Sequence, residues 1–397
     1  MITKNHTSTR AEKYLMASMK NLREALPNLT MEEFARLQIQ TLFGLEREEY
    51  LDQITTDKGN GYYSRSLHSL MKNGIVIKVP RTRKGGFAPI AFELFKMSQE
   101  QVNELVLTLY KKGMTTRDVE DVMKQFFGNS VSHTTVSELA EQFHVIRKAW
   151  ENSRLDNSYR VIYCDCIFIT VRRGDTYEKE AVYIAYGVNK ANKRELLALT
   201  IEPTESTTTW KNLFEQMQSR GVKEVGLVVA DGIVGLEDKV MEVWRGTKFQ
   251  KCVVHKERTI LATIRSKDKP AVALDLKQVF DNFGETATVE KARDKITTFI
   301  EKWQSIYPTI DRFFNADTID YYFTYLQFPA EVRRFIYTTN SIENLNRSIR
   351  KGTKNKLSFQ KPKRLLDYVF IIIKEFEEKH WQYPVHQYGL IHIGETQ

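Results

Sequence analysis

The feature that most constrains this chain is an apolar run with one carboxylate in its middle. Val161-Ile-Tyr-Cys-Asp-Cys-Ile-Phe-Ile-Thr-Val171 has the length and the β-branched and aromatic content of a strand buried in a sheet. Asp165 at its centre is costly there unless a cation offsets its charge. A second apolar run, Leu227-Val-Val-Ala, stops abruptly on Asp231-Gly232, just past a strand end, where open α/β sheets place their chemistry. Two aspartates on neighbouring strands, joined by a carboxylate from a helix, are what a pair of divalent ions needs to activate water and steady a leaving oxygen. The pattern therefore points to metal-dependent phosphoryl transfer.

The elements around these aspartates supply the sheet. Runs Val161 to Val171, Ala181 to Asn189 and Arg194 to Ile201 read as a meander with turns at Arg173-Gly-Asp and Asn189-Lys-Ala-Asn. A helix over Ser206 to Arg220, a strand over Glu224 to Ala230, a helix over Leu236 to Trp244 and a strand over Gln250 to Val254 follow. The order β-β-β-α-β-α-β is that of the ribonuclease-H-like sheet, whose first and fourth strands are neighbours, so Asp165 is expected beside Asp231. From His255 to about Phe335 the chain is charged and helical in pattern, an expected all-helical insertion. Beyond it, Asn340, Glu343, Arg347 and Arg350 fall on one face of a helix. Residues 347–364 hold eight Lys or Arg, Lys351 and Lys354 among them, and no acid, the composition of a polyanion-binding surface or of a solvated face. A closing helix, Leu365 to Lys379, carries an apolar stripe suited to docking on the sheet. Two structural alternatives stand beside this reading. Asp231 fits a helix N-cap, and Glu343 fits the N3 position of a capping box on Asn340, or an ion pair with Arg347.

Toward the N-terminus, Thr30-Met-Glu-Glu33 is a capping box that opens a helix, and Asn73-Gly74 between two alternating runs marks a hairpin. Pro80-Arg-Thr-Arg-Lys-Gly-Gly86 brings Arg81, Arg83 and Lys84 together on a flexible exit, suited to a phosphate backbone or to solvent. Gly113 to Gly128 and a helix opened by a box at Thr135-Val-Ser-Glu138 read as a helix-turn-helix, which either enters a major groove or simply packs. His133 and His144 read as surface or capping residues. The expected domains are 1–99, 100–157, a catalytic core of 158–255 with 336–397, and the insertion 256–335. A net charge of +9 over 397 residues and a pI near 9.1 point to a polyanionic partner. Three cysteines make no disulfide framework and fit a reducing cytoplasm, and no apolar run is long enough to span a bilayer. Cys252-Val-Val-His255 is half of a zinc site that would have to borrow Cys164 or Cys166. His255-Lys-Glu-Arg258 matches a short tyrosine-recombinase motif without a clear tyrosine nucleophile.

With these residues in hand, the chain resembles the bacterial insertion-sequence transposases related to the Mutator elements, within the DDE recombinase superfamily. The resemblance covers nearly the whole chain and runs through Asn60-Gly-Tyr-Tyr, Val79-Pro-Arg-Thr-Arg, Lys112-Gly-Met-Thr-Thr-Arg-Asp-Val, Asp231-x-x-x-Gly235-Leu236, Gln250-x-Cys-x-x-His255-Lys and Thr338-Thr-Asn-x-Ile-Glu-x-x-Asn346-Arg. It implies that Asp165, Asp231 and Glu343 form a catalytic triad binding two Mg²⁺ ions, with Mn²⁺ able to substitute. It implies a structural or DNA-positioning role for Cys252 and His255, and an N-terminal region that holds terminal inverted repeats in double-stranded DNA. Asn340, Arg347, Arg350, Lys351, Lys354, Arg81, Arg83 and Lys84 would hold the nucleic acid. Because two ends must be cut together, a homodimer or larger assembly in the bacterial cytoplasm, at the nucleoid, is expected. The rivals are a DNA-binding regulator that has lost catalysis and a tyrosine recombinase.

Overall fold

The computed structural model describes residues 9–67, 75–127, 131–173, 175–281, 283–354, 356, 359 and 361–393. The chain divides into two compact units, Met1–Glu141 and Gln142–Gln397.

The first unit opens on α1 (Arg10–Ala25), a helix hidden in what reads as a polar start. A capping box begins it: Glu12 N donates to Thr9 Oγ1 at 3.2 Å, and Thr9 N donates to Glu12 Oε2 at 2.9 Å. The expected Thr30–Glu33 box likewise starts α2 (Met31–Gln53). β1 (Gly59–Leu67) and β2 (Ile75–Thr82) pair antiparallel, closing with Leu67 opposite Ile75. The Asn73-Gly74 turn lies outside the described residues. Phe43 of α2 packs with Ile77 and Val79 of β2 to form a small core.

α3 (Ala91–Lys111), α4 (Thr116–Phe127) and α5 (His133–Glu151) follow, α5 running across the division between the units. Thr115 and Asp118 cap α4 reciprocally, at 2.8 and 3.1 Å. α5 starts earlier than the Thr135–Glu138 box suggests. Ser132 Oγ already accepts from Thr135 N at 3.1 Å, so Thr135 lies within the first turn and Ser132 is the cap. Ser132→Ala is expected to destabilise the protein by about 1 kcal/mol, whereas Thr135→Ala, which leaves that acceptor in place, costs less; urea unfolding of the two variants checks the order.

In the second unit, β3 (Ser158–Arg173), β4 (Thr176–Asn189) and β5 (Arg194–Glu202) form an antiparallel meander. After α6 (Thr207–Ser219), β6 (Glu224–Ala230) returns parallel to β3; after α7 (Leu236–Val243), β7 (Lys248–Lys251) adds parallel to β6. The sheet order is β5-β4-β3-β6-β7, a mixed α/β arrangement in which the strands bearing Asp165 and leading to Asp231 are neighbours. Alternation along β3 decides what each residue meets. Ile162 and Cys164 join Tyr183, Trp210, Phe214 and Trp244 in the core under α6 and α7. On the opposite face Tyr163 stacks on Tyr186 with centroids 4.9 Å apart, and Tyr186 meets Trp381 at 4.6 Å. Asp165 lies on that second face.

Two boundaries differ from expectation. β7 ends at Lys251 because its partner β6 ends at Ala230 and offers no further ladder; Cys252 N takes the last carbonyl, Ala230 O, at 2.8 Å. Cys252 is then the N-cap residue of α8 (Val253–Thr263) rather than part of a strand reaching Val254. Asp231 caps no helix: α7 begins five residues later behind Gly235, whose φ of +81° is a left-handed conformation that suits glycine.

From α8 onward come α9 (Lys269–Phe280), α10 (Val289–Trp303), three short 3-10 turns and α11 (Ala330–Ile336), with no strand among the described residues of 256–335. α12 (Asn340–Lys354) buries Ile342, Leu345 and Ile349 and packs on β3. α13 (Pro362–His380) docks on β5, where Glu377 Oε1 accepts from Leu196 N at 2.5 Å.

Candidate active site

Asp165 and Asp231 meet at one end of the parallel pair. Tyr163 is in register with Val229, and two further residues along each chain set the two aspartates side by side. Asp165 is 7% exposed, and its pKa is raised to about 6, first by burial, with the like charge of Asp231 adding and His255 opposing. Its Oδ1 accepts from Cys166 N at 3.0 Å, and its Oδ2 from Asn346 Nδ2 at 2.5 Å. Asp231 is more open, and its Oδ1 accepts from Gly232 N at 2.6 Å.

His255, in the first turn of α8, reaches Asp231 because α8 begins directly after β7. Its Nδ1 lies 3.3 Å from Asp231 Oδ1, near enough for an ion pair but without the alignment of a hydrogen bond. The imidazole pKa is raised to about 9, chiefly by the neighbouring Cys252, with the Asp231 and Asp165 charges adding, which favours its charged form. Burial alone would push the Cys252 thiol up; hydrogen bonds and charge from His255, with Thr339, outweigh it and hold the thiol below its ordinary value. Cys252 Sγ lies 3.3 Å from Thr339 Oγ1 and accepts from Thr339 N at 3.4 Å, while Val253 N donates to Tyr337 O at 3.1 Å. These contacts tie the start of α8 to the start of α12.

Glu343, one turn into α12, is bound by Arg258, whose Nη2 donates to Oε1 at 2.6 Å. That hydrogen bond is the main reason its pKa is lowered, and Arg347 and His255 contribute charge. Of the two structural alternatives for Glu343, neither describes what is seen. The helix begins at Asn340 with Glu343 N donating to Thr339 O, so Glu343 lies beyond N3, and its ion pair is with Arg258 rather than Arg347. His255 is thus the shared electrostatic neighbour of Asp165, Asp231 and Glu343. Among the described residues no three His, Cys, Asp or Glu side chains converge closely enough to hold one metal ion as they stand. On donor chemistry the residues fit a hard divalent cation: they offer carboxylate oxygens, and Asp165 and Asp231 repel one another.

The cationic residues divide. Arg347, Arg350, Lys351 and Lys354 are exposed on α12, whereas Lys356 is buried, its Nζ 4.3 Å from the Tyr368 ring centroid, so the basic run is not one continuous surface. The side chain of Asn340 lies outside the described residues. In the first unit Arg81, Arg83 and Lys84 are exposed on a segment pinned by Arg83 N to Lys58 O at 2.8 Å and Lys84 N to Asp57 Oδ1 at 3.1 Å.

Residues 2–383 match the family described as Transposase, Mutator family. The chain belongs to this family. Among its transposase relatives, the one for insertion sequence element IS1201 of Lactobacillus helveticus is 31% identical over 305 residues, 77% of this chain and 81% of that one. The transposase for IS905 of Lactococcus lactis is 27% identical over 353 residues, 89% and 88% of the two chains. That for IS256 in transposon Tn4001 of Staphylococcus aureus is 29% identical over 299 residues, 74% and 75%.

In this Mutator-family chain the geometry also gives partners to residues whose roles the sequence left open, and adds one residue it did not single out. His255-x-x-Arg258 spans one turn of α8, so both side chains reach carboxylates, which is a better account of the pattern than a recombinase motif. Glu205 is a fourth acid near the pair. Its loop is held by Tyr183, whose hydroxyl donates to Thr204 O at 2.8 Å and accepts from Ser206 N at 2.7 Å. Its carboxyl accepts from Trp210 Nε1 at 3.3 Å, and its pKa is raised by burial, with the charges of Asp231 and Asp165 adding. A single Glu in a polar loop gives no sequence signal. Asn346 gave one only as part of the motif Thr338-Thr-Asn-x-Ile-Glu-x-x-Asn346-Arg, with no role attached.

Proposed function

We propose that this chain is a DNA transposase that binds the inverted repeats of its element, cleaves strands at the ends and joins the freed 3′-hydroxyl to target DNA. The observation that carries the reading is the pairing of Asp165 and Asp231 on neighbouring parallel strands, with the Glu343-bearing helix docked against them. In this reading the sheet of 158–255 with 336–397 is a ribonuclease-H-like core, 256–335 is its helical insertion, and 1–99 with a helix-turn-helix in 100–157 engages the repeats. Asp165, Asp231 and Glu343 would hold two Mg²⁺, or Mn²⁺ in their place, which would supply a lowered water pKa and neutralisation of charge on the leaving oxygen. His255 keeps a positive charge beside Asp231 and Asp165, and Arg258 keeps Glu343 ionised. Arg347, Arg350, Lys351 and Lys354, with Asn340, clamp the phosphate backbone near the cut. Cutting two ends together calls for a homodimer or larger assembly, working on DNA in the bacterial cytoplasm. No helix among the described residues is long and apolar enough to cross a membrane.

Two measurements follow. Incubated with DNA carrying the element's inverted repeats, the protein is expected to cut in Mg²⁺ and not in EDTA, leaving 3′-hydroxyl ends. A 3′-phosphotyrosyl adduct formed in EDTA would replace the reading with tyrosine recombination, and specific binding with no cutting in either condition would replace it with a regulator. Replacing Arg81, Arg83 and Lys84 together by Ala is expected to weaken binding to all sequences alike. The slope of log affinity against log salt should fall by about one to three units, each lost phosphate contact removing about 0.9. An unchanged slope removes this segment from the DNA-contacting surface.

A further inference from the structure

Asn346 occupies a position whose neighbours in the helix are apolar. Ile342, Leu345 and Ile349 form the buried face of α12, and Asn346 lies among them at 2% exposure. An amide in such a place has two donors and an acceptor to satisfy. Nδ2 reaches Asp165 Oδ2 at 2.5 Å, while Oδ1 is buried without a hydrogen-bond partner. The orientation follows from chemistry, because turning the amide over would set Oδ1 against the carboxylate, acceptor facing acceptor. An orphaned buried acceptor is unfavourable unless something absent from the free chain meets it. Oδ1 shares one planar carboxamide with the nitrogen that touches Asp165, so a group that meets it would sit close to the Asp165 carboxylate. Glu343 is one turn back on the same helix, so the amide also sets the distance between the two acids.

We propose that Asn346 is a positioning residue of the carboxylate site: Nδ2 orients Asp165 and locks α12, with Glu343, onto β3, and Oδ1 accepts from the hydration shell of a divalent cation held there. This rests on the metal-dependent reading above. A purely structural Asn346 would hold the helix equally well with and without a divalent ion, and this separates the two roles.

The test uses the full chain as wild type, Asn346→Ala and Asn346→Asp. Single-turnover cleavage of inverted-repeat DNA is followed in Mg²⁺, DNA affinity is measured beside it, and thermal midpoints are recorded in EDTA and in Mn²⁺. Asn346→Ala is expected to slow cleavage at saturating DNA about 10- to 100-fold, with DNA affinity within about twofold of wild type. Asn346→Asp adds one more carboxylate directly against Asp165, so its midpoint should fall in EDTA and rise on adding Mn²⁺ by more than that of wild type. Wild-type cleavage rates in Asn346→Ala, or a midpoint deficit in Asn346→Asp that is the same in EDTA and Mn²⁺, would overturn the inference while leaving the metal-dependent reading intact. A wild-type protein that neither cuts in Mg²⁺ nor shifts its midpoint in Mn²⁺ would overturn that reading, and the inference with it.

Discussion

Asp165→Asn is expected to lower strand cleavage on the order of 10³-fold or more while leaving binding of the inverted repeats within about twofold of wild type. The substitution is nearly isosteric. The carbonyl oxygen of the new amide can still accept from Asn346 Nδ2, so the dock of α12 on β3 persists. What disappears is a negative charge at a position 7% exposed, and with it the strongest reason for a divalent cation to settle beside Asp231. Burial and the like charge of Asp231 both disfavour the ionised form of Asp165, which offsets the acceptor that Cys166 N loses, so the thermal midpoint should stay close to that of wild type in the absence of metal. A variant that loses cleavage and keeps its midpoint has lost chemistry rather than structure. Cleavage within about tenfold of wild type, measured in a single turnover at saturating DNA, would remove Asp165 from the reacting centre.

The second large effect concerns stability. Arg147 of α5 is 3% exposed, and its Nε donates to Asp367 Oδ1 of α13 at 2.7 Å. Its other ion-pair partner is Glu151, one turn along α5, and His144 Nδ1 lies 3.1 Å from the same Asp367 oxygen. Taking away one partner of a buried pair leaves a desolvated charge, which costs about 3–5 kcal/mol. Asp367→Ala should fall near the lower end, because Glu151 remains. For a unit of this size about 3 kcal/mol corresponds to a fall of roughly 6–12 °C in thermal midpoint. Asp367→Asn, which keeps an acceptor for Arg147 Nε, should lose less than half as much. Equal midpoints for Asp367→Ala and wild type in a scanning calorimeter would show that this network contributes little.

Legibility in the sequence followed the range of each signal. A continuous run of β-branched and aromatic residues identifies β3, and the run that stops at Asp231 identifies β6, because strand burial writes itself into consecutive positions. The order of elements then implies the neighbour relation between those strands. Local caps are readable only where one candidate stands alone. Thr30 has no competitor and is the cap, whereas Ser132 lies three residues before Thr135 and takes the amide first. α1 is missed in what reads as a polar start, although Thr9-x-x-Glu12 and the helically spaced Ala11, Tyr14 and Leu22 were there to read. Long-range polar partners leave no such trace. Arg258 meets Glu343 across 85 residues, and Asn346 meets Asp165 across 181. Such contacts depend on the docking of α8 and α12 on the sheet. Lys356 shows the converse: a charge inside a basic run that tertiary packing removes from the surface.

The central claim is that Asp165, Asp231 and Glu343 act as one unit on DNA ends. Single-turnover cleavage by Asp165→Asn, by Glu343→Gln and by the double variant tests it most directly, because groups that act together lose their effect once, not twice. Each single variant is expected to lose on the order of 10³-fold, and the double variant to be no slower than the worse of the two. Losses that multiply in the double variant, or a Glu343→Gln protein that cuts at the wild-type rate, would contradict it.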